Sequence, residues 1–144
     1  MASLYHTFVQ NHNGLTGTSF VEGDEGLALG VSSSLIKAPG TNPEQFIGFA
    51  LATCFNATIR IVQHRQQQPE NSQLRVRVDI EHDTVGYQFV VTAQIKMPGY
   101  DEEAAQAIIA QALAECPVAK LLKDNENVHF QLVDDFTDDP LLGE

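Results

Sequence analysis

The stretch PEQFIGFALATCFNATIRIVQHR, residues 43–65, constrains the fold more than any other part of the chain. Its start carries helix-initiating chemistry. Asn42 can cap, Pro43 suits the first helical position, and Glu44 places negative charge in the first turn. Gln45, three residues after the cap, fits a capping box. Pro69 ends the run, so the spacing predicts a helix over 43–65, roughly 35 Å long. Ile47, Leu51, Cys54, Thr58 and Ile61 share one face, and Phe46, Phe49, Ala50 and Ala57 form a second apolar face. A helix that is apolar most of the way round belongs at the centre of a fold. A chain of 144 residues can hide such a helix only in part, so a second copy is expected to cover the rest. The most apolar portion, 46–62, is interrupted by Asn56 and Arg60 and falls short of the roughly 20 residues of a membrane span.

The remaining elements follow from periodicity and turn residues. Strands are expected at 4–9, 16–21 and 27–31, with Asn13-Gly14 as a hairpin turn. A loop is expected at 32–40. Past the helix, Leu74, Val76, Val78 and Ile80 alternate with Arg75, Arg77, Asp79 and Glu81. After a turn at 82–86, Tyr87, Phe89, Val91, Ala93 and Ile95 alternate with mostly polar residues. This period of two marks strands with one buried face. Asp101 can cap a second helix with a stripe of Ala104, Ala105, Ile108, Ile109, Ala112 and Leu113, ending near Cys116-Pro117. A short helical turn at 118–122 and a last strand at 128–133 complete the order. Strands, long helix, hairpin, helix and strand make an α+β fold with antiparallel sheets rather than a βαβ array.

Charge narrows the partners. Lys and Arg total 8 against 19 Asp and Glu, a formal net charge of -11. A phosphate backbone or an anionic bilayer repels such a surface. With 43% hydrophobic residues the chain can bury a core, and its length suits one domain over 1–144, with an acidic, mobile tail at 134–144. The N-terminus shows no basic region followed by an apolar run, so a cytoplasmic location is expected.

Two cysteines, Cys54 and Cys116, are the sharpest chemical feature. A thiolate that attacks a peroxide becomes a sulfenic acid, and a second thiol condenses with it to a disulfide. A reducing dithiol resets the pair by exchange. The cycle needs proximity in space, not in sequence. The alternative is that both are small buried apolar residues. No cation adjoins Cys54, whose neighbours are Thr53, Phe55 and Asn56. Cys116 precedes Pro117 at a helix start, where thiol pKa values fall, so local physics favours Cys116 as the more reactive thiol.

Pro39-Gly40-Thr41-Asn42-Pro43-Glu44-Gln45, then Ala52-Thr53-Cys54-Phe55, then Ala114-Glu115-Cys116-Pro117-Val118-Ala119 resemble the OsmC/Ohr family of hydroperoxide-reducing proteins. The order of strands and helices agrees across almost the whole chain. The resemblance implies an intertwined homodimer with active sites at the subunit interface. It implies a thiol-dependent peroxidase acting on organic hydroperoxides, without a metal or organic cofactor, reset by a dihydrolipoyl-type dithiol. Cys54 matches the peroxidatic cysteine and Cys116 the resolving one. Glu44 matches the glutamate that pairs with an arginine stabilising the thiolate. Glu44 and Cys54 are ten residues apart, roughly 15 Å along a helix, so a cation must bridge them. The arginine is where this chain departs from the family. His12 stands at one branch's arginine position and Ser34 at the other's, and no arginine precedes Arg60. His12 and Lys37 are the cations left upstream of the central helix besides His6. An apolar pocket around Cys54, drawn from Phe46, Phe49 and Phe55, would suit an alkyl tail.

Other chemistries find little support. The five histidines are scattered, without H-x-x-x-H or C-x-x-C spacing for zinc. Asp134, Asp135, Asp138 and Asp139 lack EF-hand spacing and read as a solvated tail. No phosphate loop or G-x-S-x-G elbow occurs. The missing arginine leaves a second reading, in which the fold is a non-catalytic binding module for a small apolar or thiol-reactive ligand.

Overall fold

A computed structural model describes residues 1–24 and 26–136. The chain forms two compact units, 1–46 and 47 onward.

The first unit is a small antiparallel sheet, in the order β1 (Val9–Asn11), β2 (Thr18–Val21) and β3 (Ala28–Gly30). The first strand is shorter than expected. Only Val9–Asn11 find partners on β2, and Leu4 and Tyr5 stand exposed ahead of it. Asn13-Gly14 does not make a tight two-residue turn. Gly14–Thr16 form a 3-10 turn, and the Asn11 side chain both donates to the Gly14 carbonyl and accepts from its N–H, each at 2.8 Å. The loop at 32–40 returns to the sheet. The Ser32 N–H donates to the Thr41 carbonyl, the Thr41 N–H donates to the Gly30 carbonyl, and Val31 and Thr41 form an isolated bridge. Gly40 explains the glycine of the PGTNP motif. Its φ is +117°, and a Cβ there would stand 2.9 Å from the Gly30 carbonyl oxygen.

The long helix α1 spans Pro43–Arg65, as the sequence predicts. Asn42 Oδ1 accepts from the Gln45 N–H at 2.9 Å, so the cap is made. The reciprocal half of the capping box is not. The Gln45 amide oxygen instead takes the Thr41 hydroxyl at 2.6 Å. By length and composition α1 could cross a membrane, and its apolar length exceeds the sequence-based expectation. Its inner face shows why a core helix passes that test. Leu51, Phe55 and Ile59 are fully buried, with Val62 beside them, in the core of the second unit. The opposite side remains open in the single chain, with Phe49 67% and Ile61 55% exposed.

Asn56 and Arg60, which break the apolar run, have a structural task. The Ser72 hydroxyl donates to Asn56 Oδ1 at 2.7 Å, and the Arg60 guanidinium forks onto the Ser72 carbonyl at 2.8 and 3.1 Å. Ser72 is fully buried, and these bonds supply what its desolvated polar groups need. They also tie the entry of the next strand to α1.

That strand, β4 (Gln73–His82), pairs antiparallel with β5 (Tyr87–Lys96), with Leu74 opposite Ile95, Val76 opposite Ala93 and Val78 opposite Val91. Val91, Ala93 and Ile95 turn into the core, as alternation requires. Helix α2 (Glu102–Glu115) starts on the Asp101 carboxylate, which accepts the Ala104 N–H at 2.8 Å. It contributes Ala105, Ile108, Ile109 and Ala112 to the same core. The short helix α3 (Pro117–Leu121) leads to β6 (Val128–Leu132). Here the expectation of antiparallel sheets needs correction, because β6 pairs parallel to β5, with Ala93 opposite Phe130. A parallel partner needs a long crossover, which α2 and α3 provide. The α+β architecture holds, with a mixed second sheet in the order β4-β5-β6. Of the tail expected to be mobile, 137–144 lie outside the described residues. Asp135 pairs with Lys96 at 3.0 Å, and the Phe136 ring lies under the Arg75 guanidinium at 5.3 Å.

Candidate active site

Helix α1 and the α2–α3 junction bring the two cysteines together. The Cys116 thiol lies 3.6 Å from the Cys54 sulfur, although 62 residues separate them in sequence. Cys54 sits mid-helix, partly buried at the edge of the core, and Cys116 is fully buried. The bend at Cys116 is what permits the contact. Its backbone is extended, at φ -69° and ψ 121°, so it ends α2 and caps α3 at once. Pro117 requires this geometry, since the residue before proline is disfavoured in the helical region.

The first turn of α3 directs backbone N–H groups at the sulfurs. The Ala119 N–H donates to Cys116 Sγ at 3.5 Å. The Val118 N–H hydrogen-bonds Cys54 and lowers its pKa. Burial outweighs that donor, and the Cys116 contact adds to burial, so the Cys54 thiol is raised above its ordinary value. Access runs against the expectation that Cys116 is the more reactive thiol. Cys116 does sit at a helix start, but it is sealed from solvent, whereas Cys54 is open in part. A reagent arriving from solvent can meet Cys54 first.

Glu44, His12 and Lys37 all belong to the first unit. Glu44 is partly buried in the first turn of α1. Among the described residues no ion pair engages it. His12 is exposed, accepts or donates at 2.7 Å with Gln10, and sets its ring edge-on to Phe20 at 5.6 Å. Lys37 is exposed in the loop before α1. Of the phenylalanines expected around an alkyl tail, Phe46 is partly buried. Phe55 points into the core, its ring 5.1 Å from Phe130, and Phe49 faces outward. Among the described residues no cluster of three or more His, Cys, Asp or Glu could hold a metal ion.

Sequence reasoning missed one group close to this site. Arg65, at the end of α1, forks onto the Glu115 carboxylate with two bonds of 2.9 Å, and Gln111 also donates to Glu115. Glu115 is the residue before Cys116. The charges were visible, but nothing in a spacing of 50 residues announces their pairing.

Comparison with known proteins follows the same lines. The pattern of the OsmC-like proteins matches residues 36–131, which include both cysteines and Glu44. Peroxiredoxin OsmC of Escherichia coli K12 is 32% identical over 98 residues, covering 65% of this chain and 68% of the relative. Organic hydroperoxide resistance protein OhrB of Bacillus subtilis is 30% identical over 95 residues, covering 65% of this chain and 70% of the relative. The crystal structure of that OhrB superposes with a TM-score of 0.81 at 26% identity, covering 91% of this chain and 100% of the other. A solved structure from Lactobacillus casei ATCC 334 reaches a TM-score of 0.88 at 36% identity, covering 95% of this chain and 96% of the other.

Proposed function

The chain belongs to the OsmC-like protein family, and from that premise we propose that it is a thiol peroxidase that reduces organic hydroperoxides through Cys54 and Cys116. The Cys54 thiolate attacks the terminal oxygen of the hydroperoxide. The O–O bond breaks, the alcohol leaves with a proton, and Cys54 becomes a sulfenic acid. The Cys116 sulfur then attacks the Cys54 sulfur, and the S–O bond breaks with release of water. A dithiol of the dihydrolipoyl type returns the disulfide to two thiols by exchange. The single observation that carries this reading is the 3.6 Å contact between an accessible and a sealed thiol. Sealing suits the second sulfur, which must meet Cys54 and not the peroxide.

Glu44 is carried over as the residue that orients a cation toward the thiolate, with His12 and Lys37 as the upstream candidates. The open apolar side of α1, at Phe49 and Ile61, fits a homodimer that covers it. A dithiol reset suits a reducing compartment such as the cytosol. The test is consumption of an alkyl hydroperoxide and of hydrogen peroxide with a dihydrolipoyl reductant. Turnover that favours the alkyl substrate and vanishes in Cys54→Ser supports the reading. Full activity in that variant ends it.

One observation favours a second reading. The Cys54 thiol is raised by burial rather than lowered by a neighbouring cation, as a non-catalytic binding module would tolerate. A stoichiometric ligand near Cys54 without peroxide consumption would select that module.

A further inference from the structure

The two cysteines ride on α1 and on the end of α2, and one charged fork ties those elements together. Arg65 lies three turns beyond Cys54 on α1, and Glu115 directly precedes Cys116. The guanidinium meets both carboxylate oxygens at 2.9 Å. This is the bidentate geometry that fixes direction as well as distance. Gln111, one turn back on α2, donates to the same carboxylate and steadies it. On the far side of Cys116 the Ala119 N–H holds the sulfur itself. The backbone at Cys116 is extended and leaves α2 there, so the orientation of the last α2 turn decides where its sulfur points.

We propose that Arg65 and Glu115 are a positioning pair that holds Cys116 against Cys54 and sets how readily the two sulfurs join. The proposal rests on the two-cysteine reading above, and it adds residues outside the reacting atoms. The step it governs is attack of the Cys116 sulfur on the sulfenic sulfur, which forms the S–S bond and releases the oxygen as water. Formation of the sulfenic acid does not use the Cys116 sulfur and is independent of the fork.

The experiment compares wild type, Arg65→Ala, Arg65→Lys and Glu115→Gln in two arms. In the first, the full-length protein is equilibrated in glutathione redox buffers without peroxide, and the fraction of Cys54–Cys116 disulfide is measured. Arg65→Ala and Glu115→Gln should lower the effective concentration of one thiol toward the other by about fivefold, the order a bidentate surface pair can supply. Arg65→Lys, which keeps the charge and loses the fork, should fall between. Added salt should lower the wild-type value and leave Arg65→Ala unchanged. In the second arm, one equivalent of cumene hydroperoxide is added. Trapping of the sulfenic acid by dimedone should be as fast in the variants as in wild type, with closure of the disulfide slowed by a similar factor. An unchanged glutathione equilibrium in both Arg65→Ala and Glu115→Gln overturns the positioning role. If the equilibrium shifts while wild type ignores the hydroperoxide, the positioning pair stands and the peroxidase reading falls.

Discussion

Cys116 is buried to the last atom and yet stands 3.6 Å from the sulfur of Cys54, which is open in part to solvent. Under the proposed function, this asymmetry sets the order of events. Replacing Cys116 by serine should leave one reduction of hydroperoxide intact and then strand Cys54 as sulfinic acid, because no thiol intercepts the sulfenic state. Intact-mass measurement after excess hydroperoxide should show two added oxygens in the variant and a disulfide in wild type. Sustained cycling by the serine variant would contradict the resolving role.

Burial, first, and contact with Cys116, second, keep the Cys54 thiol protonated beyond its usual range, against the pull of the Val118 N–H. Alkylation by iodoacetamide should therefore still be climbing above about pH 8.5, where an unperturbed thiol is half ionised. Cys116→Ala removes one raising contact and should move the profile to lower pH, by less than full exposure would. The folded state holds this proton more tightly, so its contribution is complete below the unfolded value and erodes as pH rises above it. A profile of Cys54 with its midpoint below that of a free thiol would contradict the assigned cause.

Glu115 shows the opposite case. The Arg65 fork, assisted by Gln111, draws its carboxyl down to about 2. Its contribution is present above the unfolded carboxylate value and is lost as pH falls toward about 2. Glu115→Gln should flatten the loss of stability on that acid limb, and wild-type melts in high salt should approach the variant. Matching acid limbs for the two proteins at low salt would show that the fork adds nothing.

Phe55 anchors α1 to the second sheet, with no exposed surface and its ring 5.1 Å from Phe130. Truncation to alanine should cost about 3–5 kcal/mol through lost burial and the cavity left behind. Urea unfolding measures this directly. Phe49→Ala, on the open side of α1, should leave the single chain's stability little changed, and it should weaken self-association if a second copy covers that side.

Much of this fold is written locally. The Asn42 cap, Pro43 and the stop near Pro69 delimit α1, and alternation from Leu74 to Ile95 marks both long strands. Asp101 starts α2 where a capping residue should. Other features depend on partners remote in sequence. Nothing in the pattern of 128–133 says that the strand lies parallel to β5 rather than antiparallel, because alternation reports a face and not a direction. Residues 4–8 read as strand on composition, but pairing ends at Val9. The site was half legible. Both cysteines stood out in the sequence, the roles proposed for them came from motif resemblance, and the end of α2 came from Cys116-Pro117. Their contact, like the Arg65–Glu115 fork, is set by how α1 and α2 lie together in one core.

The proposed reaction trades the hydroperoxide's oxygen for a bond between these two sulfurs. Its most direct test is the intact mass and peptide map of the reduced protein after one equivalent of cumene hydroperoxide. The protein should lose two hydrogens, gain a Cys54–Cys116 cross-link and release one equivalent of alcohol. Recovery of both thiols with the hydroperoxide unspent, or oxygen added at Cys54 with Cys116 still free, would contradict it.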